Sequence, residues 1–374
     1  MSGEVVSAAT RPRVAAFANG ERLVGICSFD VDVNTFYQAD TFRLTLALSA
    51  QPAGRGWAWW AEQTEIEIEL LAGYPANPAA FNREDLSSLV IGNVDDIDID
   101  PIRDEIVMGG RDLTSRFIDN KTIEKYQNLT ASQVATKLAE SQGLKPVVTE
   151  TQETVGSYYQ IDRVAIQDDR PEWDLLTYLA QRTGYVVYVK GRDLHFEPKP
   201  DPTTVEPYVL RWQPATPTQA SPVFNGTALS FRRNLTISKD VKVTVRSWNQ
   251  KQKKGFTVTA NRTKVKNATT GRVARSGLPP QQYSFYFPNM TPDEAQKKAN
   301  QLLKDISEHE MNLVAEIPGD TAVTQERVLR VEGTGTAFDQ QYYPASVVHS
   351  YSEGGGYRTS ITAKNSSPES TVSP

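Results

Sequence analysis

The stretch TFRLTLAL at residues 41–48 alternates polar and apolar side chains along its whole length. Because successive side chains of a strand point to opposite faces of a sheet, this period of two predicts a half-buried antiparallel strand. The same alternation occurs at 64–70 and at 94–100, and a turn at 101–104 lets the latter pair with 105–108. Short strands separated by turns predict a mainly β protein, built as a small barrel or a sandwich.

The composition is that of a folded protein of 374 residues, with 39% hydrophobic and 23% charged residues. A net charge of −5 is too small to predict nucleic-acid binding by the chain as a whole. No run approaches the roughly 20 apolar residues of a membrane span, and residues 1–19 lack the pattern of a secretory signal. The single cysteine, Cys27, excludes an internal disulfide and a thiolate metal site. We therefore expect no membrane partner and assembly in a reducing cytoplasm.

Residues 111–206 change in character and predict an α/β insert. Two runs of apolar residues at helical spacing predict two helices. Their starts are marked by a capping box and by a proline in the first turn, and their ends by glycines. The predicted elements are a helix from Thr130-Ala131-Ser132-Gln133 to Gly143, a helix from Pro171 to Gly184, and a hairpin of strands 185–189 and 194–196.

Residues 207–365 return to strand patterns and contain one helix. The segment Thr291-Pro292-Asp293-Glu294 predicts the start of a helix over about 291–310, and the six prolines of 200–222 favour an ordered connector. The tail 366–374 is rich in Ser and Pro and is expected to be flexible. The predicted strands are 228–237, 241–248, 312–317, 328–332, 343–351 and 357–363.

The two β parts end alike. Residues 94–99 and 347–351 are both alternating strands, and each is followed by a turn and a closing strand. We take this similarity as a weak sign of duplication, in which residues 1–110 and 207–365 repeat one barrel module.

A basic segment interrupts the second β part. Residues 246–275 carry nine Lys or Arg and no acidic residue, which predicts a long hairpin or mobile loop over residues 249–290. Binding to phosphate is one interpretation, but only Trp248 and Phe256 offer stacking surfaces. A solvated loop, or one that docks on an acidic neighbour, is the favoured interpretation.

Three aspartates on one predicted strand resemble the start of a calcium loop. Asp96, Asp98 and Asp100 have the right spacing, but Pro101 and Val107 stand where that loop needs glycine and glutamate. Alternating aspartates on a strand also simply face water or a partner, which is the favoured interpretation.

Aromatic and glycine clusters are similarly open to two interpretations. Trp57, Trp59 and Trp60 are compatible with sugar stacking, although cores and protein interfaces use such residues more often. Gly333-Thr334-Gly335 lacks the rest of a dinucleotide fingerprint and predicts a turn.

Catalytic patterns are missing from the sequence. Acidic residues two apart on a helix point in different directions, so they do not form a glycosidase pair. The chain has no G-x-S-x-G elbow and no H-E-x-x-H motif, and its histidines share no ligand spacing. We expect no enzymatic activity, no catalytic residue, no metal and no cofactor. The residues considered for these roles are Glu172, Asp174, Glu308, Glu310, His195, His309 and His349.

Four segments of the sequence, taken together in their order and spacing, carry a resemblance to a known family. They are GGRDLTSRFID at 109–119, the run from Trp173-Asp174 to Gly184, Tyr188-Val189 with Leu194-His195-Phe196, and Val347-Val348-His349 through Gly356-Tyr357-Arg358-Thr359. In this order and spacing, over residues 20–365, the chain resembles the central baseplate hub proteins of contractile-tailed phages, Mu-like phages above all. The basic segment 246–275 has no counterpart in that family. The positions that match the family motifs are Gly110, Arg111, Asp112, Trp173, Asp174, Gly184, His349, Tyr357 and Thr359.

The resemblance implies a structural protein of the virion tail baseplate. Such hubs are homotrimers in which each subunit supplies two similar small tube-like β-barrels with an α/β insert between them. Three subunits then present six modules, so that a sixfold tail tube can meet a threefold spike. The implied partners are the tail spike protein, a tube or tube-adaptor protein and baseplate wedge proteins, with DNA passing through the channel without sequence-specific binding.

Other functions stay open at this point. A cell-wall-degrading tail enzyme, the hub of a phage-derived contractile injection system and a carbohydrate-binding β protein are the alternatives. If the chain is a hub, Asp95 to Asp100 are candidates for a negatively charged channel wall, which would let DNA slide without sticking.

Overall fold

Strands make up most of the regular structure. The protein is described by a computed structural model over residues 11–122, 126, 128–152, 154–155, 170–198, 206–234, 241–249, 254–261, 281–288, 290–307 and 311–365. The strands are β1 (Arg13–Ala18), β2 (Glu21–Arg22), β3 (Ile26–Asn34), β4 (Thr41–Ala47), β5 (Glu67–Gly73), β6 (Ser87–Asp100), β7 (Glu105–Asp112), β8 (Lys121–Thr122), β9 (Leu129–Thr130), β10 (Lys145–Val148), β11 (Thr154–Val155), β12 (Arg170–Pro171), β13 (Tyr185–Lys190), β14 (Asp193–Pro198), β15 (Tyr208–Gln213), β16 (Val223–Phe224), β17 (Ala228–Arg233), β18 (Val241–Asn249), β19 (Lys254–Asn261), β20 (Gln281–Tyr286), β21 (Met311–Pro318), β22 (Leu329–Glu332), β23 (Gln341–Ser352) and β24 (Gly356–Asn365). The helices are Trp57–Ala61, Ser115–Asp119, Ala131–Ser141, Glu172–Thr183 and Pro292–Ser307, with a 3-10 turn at Arg83–Asp85. The prediction of a mainly β fold with a smaller helical content is confirmed.

The chain divides into two compact units. Unit 1 comprises Met1–Thr204, Pro318–Gln325 and Ser346–Ser360, and unit 2 comprises Val205–Ile317, Glu326–Ala345 and Ile361–Pro374. Strands β23 and β24 therefore each contribute residues to both units. The finer division into barrels at 1–110 and 207–365 around an insert at 111–206 stays a prediction.

Unit 1 contains an antiparallel sheet with the strand order β23-β3-β4-β7-β6-β5-β1-β2. The alternating stretch at 41–48 forms β4, in which Phe42 and Leu44 are buried while Thr41 and Arg43 are exposed. Strands β6 and β7 pair around the predicted turn, with Asp100 opposite Glu105. Side chains from the neighbouring strands fill the same core, among them Phe29, Val31, Leu46, Ile68, Leu70, Ile106 and Met108.

The insert also lies in unit 1, where two helices pack against the small sheet β10-β14-β13. The predicted capping box forms: the Thr130 hydroxyl accepts from the Gln133 N–H at 3.2 Å, and Gln133 Oε1 accepts from the Thr130 N–H at 2.9 Å. The second helix ends at Gly184, whose φ of +74° is the left-handed conformation that favours glycine. The shared core includes Val134, Leu138, Leu176, Leu179, Val187 and Phe196.

Unit 2 contains the strand series β16-β15-β22-β23 and β17-β21-β24. The prediction of a connector at 200–222 was wrong in part, because Tyr208–Gln213 is a strand that pairs in parallel with β22. Pro207 and Pro214 lie just outside this strand and delimit it rather than break its hydrogen bonds. Leu210 between them is fully buried.

A separate sheet, β19-β18-β20, is packed against the helix Pro292–Ser307 in unit 2. Its capping box forms as predicted, with the Thr291 N–H donating to Glu294 Oε2 at 2.7 Å. Part of the basic segment is an antiparallel hairpin of β18 and β19, one of the two predicted alternatives. Residues 250–253 and 262–280 lie outside the described residues. The helices in the described part of the chain are all too short or too polar to cross a bilayer.

Candidate functional site

Arg111 is the most highly connected charged residue of the motif at 109–119. Its Nε and Nη2 donate to the two carboxylate oxygens of Asp95, each at 2.7 Å. A second carboxylate, Asp119 at the end of the helix Ser115–Asp119, accepts from Nη1 at 3.2 Å and from Nη2 at 2.9 Å. These carboxylates raise the pKa of Arg111 further, so its charge is permanent. The arginine thus ties strand β6 to the first helix of the insert.

A β-bulge places Asp95 in reach of this arginine. The register of β6 against β7 shifts between Val94, which lies opposite Gly110, and Asp96, which lies opposite Gly109. Asp95 is the extra residue of that bulge. The predicted alternation at 94–100 overlooked this bulge, although the consecutive polar residues Asp95 and Asp96 interrupt the alternation at that point.

Gly110 is required by the close packing of its neighbours. A Cβ at this position would lie 2.2 Å from the Asn93 carbonyl oxygen and 2.6 Å from the Phe42 ring. Glycine therefore lets the ring of Phe42 pack closely against strand β7.

Asp112 is buried where strand β7 leads into the insert. Its Oδ1 accepts from the Thr114 N–H at 3.1 Å, and its Oδ2 accepts from the Thr114 hydroxyl at 3.0 Å. Burial raises the pKa of Asp112 to about 7. Burial, with the nearby Asp112 carboxyl, also raises the pKa of Asp40, whose carbonyl oxygen accepts from the Asp112 N–H at 2.9 Å. Burial thus disfavours the ionised form of both carboxyls.

The closing hairpin motif forms a buried polar triad in unit 1. His349 Nδ1 lies 2.9 Å from Tyr357 Oη and 3.1 Å from Thr359 Oγ1. Burial lowers the pKa of His349 to about 4, against the opposing effect of a hydrogen bond to the Val323 backbone. The ring is therefore neutral at physiological pH. When Nε2 carries the proton, the single lone pair of Nδ1 accepts from one of these two hydroxyls. Gly319 lies against the Tyr357 ring, where a Cβ would be 2.0 Å from Cδ1.

The motif at Trp173-Asp174, in the helix Glu172–Thr183, connects the insert to neighbouring segments of unit 1. Trp173 is buried, and its Nε1–H donates to the Tyr37 carbonyl oxygen at 3.1 Å. Asp174 is exposed in the first turn of the same helix, where a negative charge favours the helix dipole. Buried Glu172 accepts from Asn120 Nδ2 at 2.8 Å and from Gln142 Nε2 at 2.7 Å. Tyr37 and Asn120 could not have been found from the sequence, because both act through spatial proximity alone.

The other candidate residues do not converge on one site. Asp96 and Asp98 are exposed, and Asp100 accepts from the N–H groups of Ile102 and Arg103 in the turn, both at 2.9 Å. These turn hydrogen bonds lower the pKa of Asp100. Among the described residues, no cluster of three or more His, Cys, Asp or Glu side chains could hold a metal ion.

The tryptophan and glycine clusters also have separate surroundings. Trp60 is fully buried, Trp57 is 60% exposed, and Trp59 packs edge-on against Trp60. They therefore do not form one flat stacking platform. Gly333 and Gly335 both have positive φ, as the predicted turn requires. Glu308, His309 and Glu310 lie outside the described residues.

The fold is shared with solved phage tail proteins over nearly its whole length. A tail protein from Neisseria meningitidis MC58 is 14% identical, with a TM-score of 0.68 over 95% of this chain and 97% of that one. The 43 kDa tail protein of prophage MuSo2 from Shewanella oneidensis is 15% identical, with a TM-score of 0.64 over 96% and 98%. An Escherichia coli component of the type VI secretion system, described as structurally similar to T4 tail proteins gp27 and gp5, is 11% identical, with a TM-score of 0.51 over 96% and 79%.

These likenesses define the fold class: the chain has the fold of phage tail proteins. No curated protein matches its sequence. A family model described as the Alg8 N-terminal domain matches residues 66–353, and the chain belongs to that family.

Proposed function

We propose that this chain is the central baseplate hub of a contractile phage tail, a homotrimer that adapts a sixfold tail tube to a threefold spike. The observation that carries the proposal is the likeness to two phage tail proteins, which extends over at least 95% of each chain compared. One of the two belongs to a prophage named MuSo2, which agrees with the resemblance to Mu-like hubs in the motifs. The role is structural and not enzymatic.

The contacts of the motif residues support a structural role. Arg111 ties a strand to a helix, and Asp112 accepts hydrogen bonds from Thr114 at the start of the insert. His349 joins the two strands of the closing hairpin through Tyr357 and Thr359. Each of these groups finds its partners inside the chain. Such contacts stabilise a scaffold, whereas an active site directs polar groups toward a substrate.

Symmetry gives the proposed adaptor its physical basis. A threefold object can meet a sixfold one if each subunit carries two similar modules. In this proposal the modules lie within 1–110 and 207–365, and the trimer contacts a spike protein, a tube or tube-adaptor protein and wedge proteins of the virion baseplate. DNA would pass through the channel without sequence-specific binding.

The absolute mass of the purified chain tests the assembly. Light scattering should give about three times the 41.5 kDa of one chain. A mass that stays at one chain at high protein concentration would contradict the proposal.

A phage-derived contractile injection system is the second candidate. The likeness to a type VI secretion component, with a TM-score of 0.51, favours it specifically. Immunogold labelling of particles from the producing cells separates the two, because a phage hub is found on DNA-filled virions and an injection device carries no capsid.

A cell-wall-degrading tail enzyme is tested separately. A peptidoglycan zymogram of the refolded chain should show no clearing. Clearing that survives the removal of contaminating lysozyme would overturn the structural role.

A further inference from the structure

One face of the small sheet β19-β18-β20 is exposed, polar and basic. The side chains of Val241, Val243 and Val245 point to the helix side and are buried. Because side chains alternate, Arg246 and Trp248 of the same strand point to the other face, where Trp248 is 47% exposed.

The register defines this face, which we call the basic face. Arg246 lies opposite Tyr286 of β20 and Thr257 of β19, and Tyr286 is 64% exposed. Lys242 lies on the same side of the sheet, four residues before Arg246 on the central strand. Within the described part of the chain, neither Lys242 nor Arg246 has an ion-pair partner. Arg, Trp and Tyr are also the residues that most often carry the binding energy of protein interfaces.

A complementary surface lies on the outer side of the large sheet in unit 1. Asp30 of β3 and Asp96 and Asp98 of β6 are exposed there. None of these three carboxylates has an ion pair with another described residue, whereas the nearby Asp95 is neutralised by Arg111. Arg43 lies between them, opposite Asp30 on one side and Gly109 on the other. We call this surface the acidic face.

We propose that the basic face of one copy docks on the acidic face of the next copy around the hub trimer. A cyclic trimer needs a head-to-tail contact in which each copy presents two different, complementary surfaces. The described residues include such a pair: a face with Lys and Arg beside exposed aromatic side chains, and a face with carboxylates that form no ion pair. The inference rests on the proposed homotrimer and assigns Asp96 and Asp98 to a subunit contact instead of a channel wall.

The sequence that begins at Arg246 is also basic. Residues 246–275 contain nine Lys or Arg and no acidic residue. Opposite charges across an interface fix its register and suppress wrong partners. A nucleic acid is the competing occupant of a basic and aromatic surface, and it is an outcome of the test below.

Charge reversal and its compensation test the contact. The first variant combines Lys242→Glu with Arg246→Glu, the second combines Asp96→Lys with Asp98→Lys, and the third carries all four changes. Light scattering should give the mass of one chain for the first and second variants and of three chains for the third. Misfolding cannot explain that pattern, because two further reversals do not repair a misfolded chain.

A matched control separates a local effect from net charge. Lys145→Glu with Lys190→Glu changes the net charge as much as the first variant does, at exposed positions of the insert. This control should remain a trimer.

The contradicting results are distinct. If the wild type is a trimer and the first two variants remain trimers, the docking of these faces is wrong and the hub proposal stands. If the wild type itself has the mass of one chain, both fail. If the wild type retains a single-stranded oligonucleotide in a salt-sensitive way and only the first variant loses it while remaining a trimer, the basic face is a nucleic-acid surface.

Discussion

Arg111 and Asp95 form a two-pronged ion pair across a β-bulge, with both nitrogen-to-oxygen distances at 2.7 Å. Asp95 is the residue that the bulge adds to strand β6, and Arg111 lies on the paired strand β7. The same guanidinium also binds Asp119, so the pair joins the large sheet of unit 1 to the start of the insert. The bulged residue Asp95 and its partner Arg111 thus lie where the chain changes from the large sheet to the α/β insert.

Replacement of Arg111 by lysine should lower the free energy of unfolding by roughly 1 kcal/mol, after allowance for the partial solvent exposure of the pair. Lysine cannot reproduce the fork that binds both oxygens of Asp95. Urea unfolding measures the loss. Arg83→Lys is the control, because the Arg83 side chain is 54% exposed in its pair with Glu69 and should matter less. Equal losses in both variants would show that the geometry of the Arg111 pair is unimportant.

Gly110→Ala should destabilise unit 1 by about 2 kcal/mol or more, because an added methyl group overlaps the Asn93 carbonyl and the Phe42 ring. Thermal unfolding followed by circular dichroism checks this. Gly56→Ala is the matched control, since a Cβ at Gly56 meets nothing within 4 Å and its φ is −72°. A Gly110→Ala variant as stable as the control would contradict the packing described for β7.

The buried carboxyl of Asp112 should make stability fall as the pH rises from about 4 to about 7. In that window the unfolded carboxyl is ionised while the folded one, with its pKa near 7, keeps its proton. Asp112→Asn should remove this contribution, so its stability relative to the wild type should improve by up to about 4 kcal/mol across the window. Urea titrations at several pH values measure the difference.

Asp112→Ala provides the control for that experiment. Its free energy of unfolding should change with pH as that of Asp112→Asn does. It should be lower at every pH, because the Thr114 N–H loses its acceptor. A difference between Asp112→Asn and the wild type that does not change with pH would show that the carboxyl titrates normally.

His349 should have the opposite effect on the pH dependence. Its folded pKa of about 4 lies below the usual value of 6.5, so its contribution is complete above pH 6.5 and is lost as the pH falls toward 4. The change amounts to about 3 kcal/mol in the wild type and should be absent from the His349→Gln variant. A variant that still loses the same amount between pH 6.5 and 4 would place the acid sensitivity elsewhere.

Local signals in the sequence predicted individual elements well. The capping boxes at Thr130 and Thr291 and the glycine stop at Gly184 formed as expected, because each depends on residues within one turn. The alternation at 41–48 likewise predicted which side chains of β4 are buried.

Features that depend on distant contacts were missed. Strand β15 was overlooked because prolines dominate its surroundings, whereas its pairing with β22, more than 100 residues further along the chain, decides its structure. The proximity of Asp40 to Asp112 and the pairing around the bulge at Asp95 also depend on strand register, which a single sequence does not specify.

Electron cryo-microscopy of the purified chain tests the central claim most directly. The account predicts a particle with a threefold axis, in which six β modules of similar shape surround one channel. A particle of one copy, or a threefold ring whose modules from 1–110 and 207–365 cannot be superposed, would contradict it.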